Sequence, residues 1–122
     1  MLFVGADLSQ RLVPDGLWDL VAPLLPSFTP RRQGGGTSPL GERAVFAAVV
    51  YVLTSGCAWR HLPPTFGVSP ATAHRRFTAW TKAGLWRRLH RAVLDELGRR
   101  GELDWTSVIV DAASVRAKRG VH

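Results

Sequence analysis

A glycine turn followed at once by a strong helix start limits the folds open to this chain. Gly67 lies in the turn, and Ser69-Pro70 come directly after it. Serine accepts hydrogen bonds from free backbone N–H groups as an N-cap, and proline suits the first helical position because an N–H there would have no partner. The next glycine is Gly84, and no further proline intervenes. The sequence therefore predicts a helix from Pro70 to Lys82.

The predicted helix has an apolar side and a basic side. Ala73, Phe77 and Trp80 are spaced i, i+4 and i+7 and form one apolar stripe. The opposite side carries Arg75 and Lys82 together with short and hydroxyl-bearing residues. Two interpretations fit this pattern about equally well. The helix either inserts its polar side into a DNA major groove or is an ordinary amphipathic helix with a solvated basic side.

The segment before the turn predicts a second, shorter helix next to Pro70–Lys82. Trp59–Leu62 reads as a short helix that two prolines end. A short helix, a glycine-containing turn and a basic second helix form a helix-turn-helix, here at about residues 57–82, with Pro70–Lys82 as the recognition helix. Arginine in such a helix pairs with guanine, and threonine reaches phosphate or a thymine methyl group. The candidate DNA-binding residues are Arg60, Ser69, Thr72, His74, Arg75, Arg76, Thr78, Lys82, Arg87 and Arg88.

The first part of the chain predicts two packing helices and a loop. Residues 8–14 read as a lead-in, after which Asp15 can cap a short helix that ends by Pro26. Residues 27–41 are rich in glycine and have little to bury, so we expect a loop. The segment Glu42–Ser55 is apolar on almost all sides, which predicts a central helix covered by its neighbours.

Beyond the recognition helix the sequence predicts one more amphipathic helix. It runs from Leu85 to Arg100, and Gly101 ends it. Its outer side mixes arginines with acidic residues, as a solvated helix surface does. The apolar residues expected to face inward are Trp86, Leu89, Val93, Leu94 and Leu97.

Charge and composition narrow the partner and the compartment. The 122 residues carry 16 basic and 9 acidic side chains, a net charge of +7. This excess favours a polyanionic partner, most often nucleic acid, although a genome that uses arginine freely would give the same excess. Cys57 is the only cysteine, which excludes an internal disulfide and agrees with a reducing cytoplasm. We expect a cytoplasmic protein without a membrane partner, because no signal peptide is recognisable and the longest apolar run, residues 44–53, is too short to span a bilayer.

The last segment reads as a strand. Trp105–Asp111 is a short run rich in β-branched apolar residues. Asp111 stands where the run stops, and a carboxylate at the rim of a buried strand is well placed to bind metal. An aspartate at this position is more often a turn or cap residue. Residues 112–122 have nothing to pair with, so we expect them to be disordered.

Four stretches of the chain follow one another in a recognisable order. They are the stretch from Trp18 to Pro26, RAVFAAVVYVLTSGCAWRHLPPTFG, ATAHRRFTAWTKAGLW and VIVDAASVRAKRG. In this order they resemble the N-terminal part of bacterial DDE-type insertion-sequence transposases, in the large group that includes insertion sequence five. The resemblance covers Trp18 to Gly120, and its most specific part reads Gly-Cys-x-Trp-Arg-x-Leu-Pro-Pro.

The resemblance implies a mainly α fold in two parts. A helical DNA-binding domain at residues 8–104 would contain the helix-turn-helix and recognise the terminal inverted repeats of the element. Residues 105–122 would begin an incomplete RNase H-like domain with its first β-strand. Asp111 aligns with the first aspartate of the DDE triad, which in such enzymes holds two Mg²⁺ ions that activate water or a DNA 3′-hydroxyl group.

The sequence after Asp111 departs from the family pattern. It contains no second aspartate and no glutamate up to His122. We therefore expect the chain alone to hold no cofactor and to cleave no DNA. Mg²⁺ would bind only with the remaining carboxylates of a full-length transposase. The resemblance allows two further partners, a catalytic part encoded in a downstream reading frame and a second copy of the chain.

Two other functions remain open from the sequence alone. A free-standing helix-turn-helix regulator, or a repressor of transposition, explains residues 56–82 and the positive charge but not the stretch VIVDAASVRAKRG. A module that binds no DNA explains the amphipathic helices but not the basic side of Pro70–Lys82.

Overall fold

Six α-helices make up most of the part of the chain that the structure describes. The computed structural model describes residues 4–26, 39–95 and 100–119, so residues 27–38 of the predicted loop lie outside it. The predicted mainly α fold is confirmed, and no strand occurs within the described ranges. The helices are α1 (Val4–Leu12), α2 (Asp15–Val21), α3 (Pro39–Ser55), α4 (Pro70–Lys82), α5 (Leu85–Asp95) and α6 (Arg100–Arg119), with 3₁₀ turns at Ala22–Leu24, Trp59–His61 and Pro64–Phe66.

Helix α3 is the centre of the fold. Its sequence is apolar on almost all sides, so no side of it favours water. Most residues from Val45 to Leu53 are buried. Helices α1, α4 and α6 and the 3₁₀ turn at Pro64–Phe66 pack against it. The prediction of a covered central helix is therefore confirmed, although α3 begins at Pro39 rather than at Glu42.

Aromatic rings join α2, α3, α4 and α5 around one residue of α3. The ring centroid of Phe46 lies 6.1 Å from that of Trp18, 5.7 Å from that of Trp80 and 6.2 Å from that of Trp86. Trp86 also donates a hydrogen bond from Nε1 to Thr81 Oγ1 at 3.0 Å. Aromatic pairs at such separations contribute beyond the area they bury, by about 0.5–1.5 kcal/mol each. This cluster fixes the inner side of α4 against the core.

Arg43 ties the first two helices to α3. One guanidinium nitrogen, Nη2, donates to Gln10 Oε1 at 2.8 Å, to the Val13 carbonyl oxygen at 2.7 Å and to Asp15 Oδ1 at 2.8 Å. Two predictions about this part are wrong. Much of the expected lead-in belongs to helix α1, and the residue before α2 is Pro14, which forms no side-chain cap. The Asp15 carboxylate accepts from Arg43 instead.

Helix α5 matches its prediction at the start but not throughout. It begins at Leu85, and Trp86, Leu89 and Val93 are buried as expected. Leu94 is 49% exposed, so its predicted inward position is wrong. Leu97 lies outside the described residues. The predicted helix end is also wrong, because Gly101 lies inside α6 and ends no helix.

Helix α6 replaces the predicted strand. Residues 105–111 lie within it, and Thr106, Ile109 and Ala113 face the interior at a spacing that a helix produces and a strand does not. Trp105 Nε1 donates to the Leu12 carbonyl oxygen at 2.7 Å and anchors α6 to α1. A helix pairs its own backbone groups, whereas a lone strand in the described ranges would leave them unpaired. The strand prediction is therefore wrong, as is the disorder predicted for residues 112–119.

Candidate nucleic-acid interface

A left-handed glycine and a serine cap set the start of α4. Gly67 has φ 71° and ψ 19°, a backbone conformation that glycine adopts without a steric cost, and it ends the 3₁₀ turn before it. Ser69 is extended, with φ −75° and ψ 151°, and its Oγ accepts a hydrogen bond from the Thr72 N–H at 3.1 Å. The predicted cap and both predicted ends of the helix Pro70–Lys82 are confirmed.

The segment in front of α4 differs from the predicted first helix of a helix-turn-helix. The short helix predicted at Trp59–Leu62 is present as the three-residue 3₁₀ turn Trp59–His61, and a second 3₁₀ turn, Pro64–Phe66, follows it before α4. Adjacent prolines supply no backbone N–H donors and keep the preceding residue out of the α region, so an α-helix cannot continue through them. The preceding α-helix is α3, which ends at Ser55.

The outer side of α4 is polar and solvent-exposed. His74, Arg75, Thr78 and Lys82 are all exposed, and the buried residues Ala73, Phe77 and Trp80 occupy the other side. Arg75 Nη2 lies 3.4 Å from Thr72 Oγ1, a long hydrogen bond that leaves most of the guanidinium group open to a ligand. Thr78 Oγ1 donates to the His74 carbonyl oxygen at 3.0 Å, as exposed helical threonines do.

Arg76 has a different environment from its neighbour Arg75. Its Nη1 lies 2.8 Å from Glu42 Oε1, and the two side chains are only 16% and 20% exposed. This ion pair joins α4 to the first turn of α3. The sequence predicts the same DNA-binding role for both arginines. In the structure their environments differ, because Arg75 faces solvent and Arg76 forms an ion pair that joins α4 to α3.

Three further cationic candidates lie on the elements that flank α4. Arg60 is exposed in the 3₁₀ turn Trp59–His61 that precedes α4. Arg87 and Arg88 are exposed in the first turns of α5, and Arg88 Nη2 donates to the Ala83 carbonyl oxygen at 3.0 Å. Cations thus occur on both elements next to α4 as well as on its own outer side.

A groove of about 760 Å³ runs between α4 and α6. The Trp59 ring forms part of its wall, with ring centroids of His74 at 5.2 Å and Phe77 at 5.4 Å. Arg116 places its guanidinium carbon 5.5 Å from the Trp59 ring centroid, a cation–π contact. The same side chain donates from Nη2 to the carbonyl oxygens of Cys57 at 2.9 Å and Val52 at 3.4 Å.

Arg116 is the residue of this region that sequence reasoning missed. It lies in the segment predicted to be disordered, and its partners precede it by more than fifty residues in the chain. No local pattern signals such a contact. Arg116 acts as a clasp, because it donates to the Val52 carbonyl oxygen in the last turn of α3 and to the Cys57 carbonyl oxygen just after that helix, while its guanidinium group lies over the Trp59 ring.

Asp111 is the residue that the resemblance assigns to a metal site in a complete enzyme. It is exposed on α6. Within the described ranges, no group of three or more histidine, cysteine, aspartate or glutamate side chains could hold a metal ion. Two-metal catalysis needs several carboxylates around the ions, so the residues described here do not fit the Mg²⁺ pair that the resemblance implies.

None of the described helices is long and apolar enough to cross a membrane.

Comparison with known proteins defines the class of this chain. Residues 13–90 match the family described as "Putative transposase of IS4/5 family (DUF4096)". The chain is 38% identical over 112 residues to the "Insertion element IS402 uncharacterized 16.2 kDa protein" of Burkholderia cepacia, across 90% of this chain and 76% of that protein. It is 30% identical over 107 residues to "Uncharacterized protein y4sN" of Sinorhizobium fredii, across 84% of this chain and 74% of that protein. No solved structure matches the chain significantly.

These matches identify an insertion-sequence protein of the transposase class. The chain belongs to the IS4/5 family of transposases, because the family match covers more than half of it and the Burkholderia relative matches along most of both lengths. The matched segment contains the glycine turn, all of α4 and the flanking cations Arg60, Arg87 and Arg88.

Proposed function

We propose that this chain is the DNA-binding part of an IS4/5-family transposase and that α4 recognises the terminal inverted repeats of its element. One observation carries the proposal. The outer side of α4 presents cationic and hydroxyl groups to solvent, while its inner side is locked into the aromatic core. A helix held in this way can meet DNA without rearrangement, which lowers the entropic cost of binding.

The exposed residues of α4 suit the floor of a major groove. Arg75 can form a bidentate pair with O6 and N7 of guanine, a contact that discriminates between bases by about 1–3 kcal/mol. Thr78 is short enough to approach a thymine methyl group or a phosphate. His74 lies one turn before Thr78 and offers a ring nitrogen to a base edge or a phosphate. These residues would supply the sequence preference.

The cations around α4 suit the phosphate backbones on either side of that groove. Arg60 precedes the helix, Lys82 lies in its last turn, and Arg87 and Arg88 begin the next helix. Phosphate contacts position a protein on the duplex but carry no sequence information. Each one releases bound counterions, so the net charge of +7 predicts binding that weakens steeply with salt.

Catalysis is not part of this proposal. Asp111 is the residue that the resemblance aligns with a catalytic triad, and the described residues include no group of three or more histidine, cysteine, aspartate or glutamate side chains that could hold a metal ion. We expect purified chain with Mg²⁺ to leave DNA uncut, and a nicking activity abolished by Asp111→Ala would contradict this.

Fluorescence anisotropy with two labelled duplexes tests the proposal. One duplex comes from the DNA that flanks the coding sequence, and the other has the same length and composition in scrambled order. The logarithm of affinity should fall with the logarithm of salt concentration with a slope of about −3 or steeper, since four flanking cations contribute roughly −0.9 each. A flat response would exclude DNA as the partner.

Three substitutions at Arg75 and Arg88 separate base recognition from positioning on the phosphate backbone. Arg75→Ala should weaken binding to the flanking duplex about tenfold or more and leave the scrambled duplex less affected. Arg75→Lys is the matched control, because it keeps the charge but not the bidentate fork, and it should also lose discrimination. Arg88→Ala should weaken both duplexes alike. Equal losses on both duplexes for all three variants would refute the assignment of Arg75 to base recognition.

A further inference from the structure

The outer side of α6 carries an apolar stripe that nothing in the described chain covers. Val108 is 47% exposed and Val115 is 57% exposed, although the structure buries most other large aliphatic side chains. The two valines are seven residues apart and so lie on one side of the helix. Asp104, Asp111 and Lys118 are exposed on the same side. The stripe therefore reads Asp-Val-Asp-Val-Lys along α6, and we call it the α6 stripe.

The order of charges in the α6 stripe is self-complementary. Asp104 and Lys118 are each seven residues from Asp111, which places them about 10 Å to either side of it along the helix axis. A two-fold axis near Asp111 would bring Asp104 of one protomer opposite Lys118 of the second copy, and would do so twice. The same axis brings Val108 opposite Val115 of the second copy.

We infer that the α6 stripe is a homodimer interface in which two copies of α6 pack antiparallel. The arrangement is isologous, as a two-fold dimer requires, because each residue meets its counterpart reciprocally. It covers both exposed valines and forms two opposite-charge pairs at the ends. A parallel arrangement would instead set Asp104 against Asp104 and Lys118 against Lys118, and like charges facing each other are destabilising.

The centre of the stripe limits the strength of this dimer. The two copies of Asp111 would lie near the two-fold axis, where their charges repel. Four valines and four end charges make a small interface, and small interfaces give weak, concentration-dependent association. We therefore expect dissociation in the micromolar range or weaker. The inference goes beyond the proposed function and uses no residue of α4, so either can fail without the other.

Charge exchange on the full-length chain tests the antiparallel pairing. Sedimentation equilibrium over a concentration series gives the dimer dissociation constant, and circular dichroism verifies that each variant folds. Asp104→Lys and Lys118→Asp should each weaken the dimer about tenfold, because each replaces two attractive pairs by two repulsive ones. The double variant D104K/K118D should restore wild-type association. An equimolar mixture of the two single variants should form heterodimers.

Two further variants probe the apolar contact and the centre. Val115→Glu should abolish association at concentrations where the wild type dimerises, because it places a charge in the apolar contact. Asp111→Asn should tighten the dimer severalfold by removing the repulsion at the axis. Wild-type protein that stays monomeric at about 1 mM would overturn the inference. A dimer that responds equally to the single and double charge exchanges, or to none of them, would also overturn it.

Discussion

The two sides of α4 differ in what holds them and in what they can be used for. Phe77 and Trp80 on the inner side are buried against rings from other helices. Arg75 and Lys82 on the outer side make few contacts within the protein and are exposed to solvent. The position of this helix and its surface chemistry are therefore set by different residues. Substitutions on the inner side should change stability, and those on the outer side should change binding alone.

The largest effect should come from emptying the inner side. Phe77→Ala should lower the free energy of unfolding by about 3–5 kcal/mol, because it removes a ring packed against Trp59 and Trp86 and leaves a cavity. Urea unfolding monitored by circular dichroism measures the loss. The neighbouring Thr78→Ala is the matched control and should change stability by less than about 0.5 kcal/mol. A loss below about 1 kcal/mol for Phe77→Ala would show that the inner side does not hold α4.

A smaller loss of stability should follow from breaking the ion pair between α4 and α3. Arg76→Ala leaves Glu42 in a partly buried position without this cation, which should cost about 1–2 kcal/mol, between the values for exposed and buried pairs. Arg75→Ala, one residue away, should cost almost nothing. A double-mutant cycle with Glu42→Gln isolates the interaction. Additive losses in that cycle would mean that the ion pair contributes no coupling.

Removing the cap of α4 should have an effect of about 1 kcal/mol. Ser69→Ala deletes the oxygen that accepts from the Thr72 N–H, and typical cap losses have this size. Ser69→Asp keeps an acceptor at the same position and should recover most of the stability. Thermal unfolding of the three proteins compares them directly. Equal stability of Ser69→Ala and wild type would mean that α4 begins without help from this cap.

The smallest change in stability should occur at the outer end of α4. Lys82→Ala should alter the free energy of unfolding by less than about 0.5 kcal/mol, since Lys82 is exposed. The same substitution should make the salt dependence of DNA binding shallower by about 0.9 in the log–log slope, the contribution of one phosphate contact. An unchanged slope would remove Lys82 from the interface while leaving the fold assignment intact.

Sequence reasoning predicted α4 correctly because every signal for it is local. The left-handed turn at Gly67, the cap at Ser69, the proline after it and the apolar spacing of Phe77 and Trp80 all lie within one segment. The same reasoning could not separate Arg75 from Arg76. Their difference depends on Glu42, which belongs to another helix.

Sequence reasoning failed at α6 because the deciding contacts are distant. The β-branched run before Asp111 favours a strand by local preference, and tertiary packing overrides that preference. Ile109 and Ala113 are both buried because a helix places residues four apart on the same side. Trp105 donates to the Leu12 carbonyl oxygen, which lies 93 residues earlier in the sequence. The contacts of Arg116 could not be predicted for the same reason, since its partner Cys57 lies 59 residues earlier in the sequence.

DNase I footprinting tests the central claim most directly. The wild-type chain and its Arg75→Ala variant are each titrated onto the DNA that flanks the coding sequence on both sides. We expect two protected segments, one on each side, whose sequences are inverted copies of one another. Arg75→Ala should lose both at a concentration where the wild type protects them. Absence of protection, or uniform protection along the DNA, would contradict recognition of terminal inverted repeats by α4.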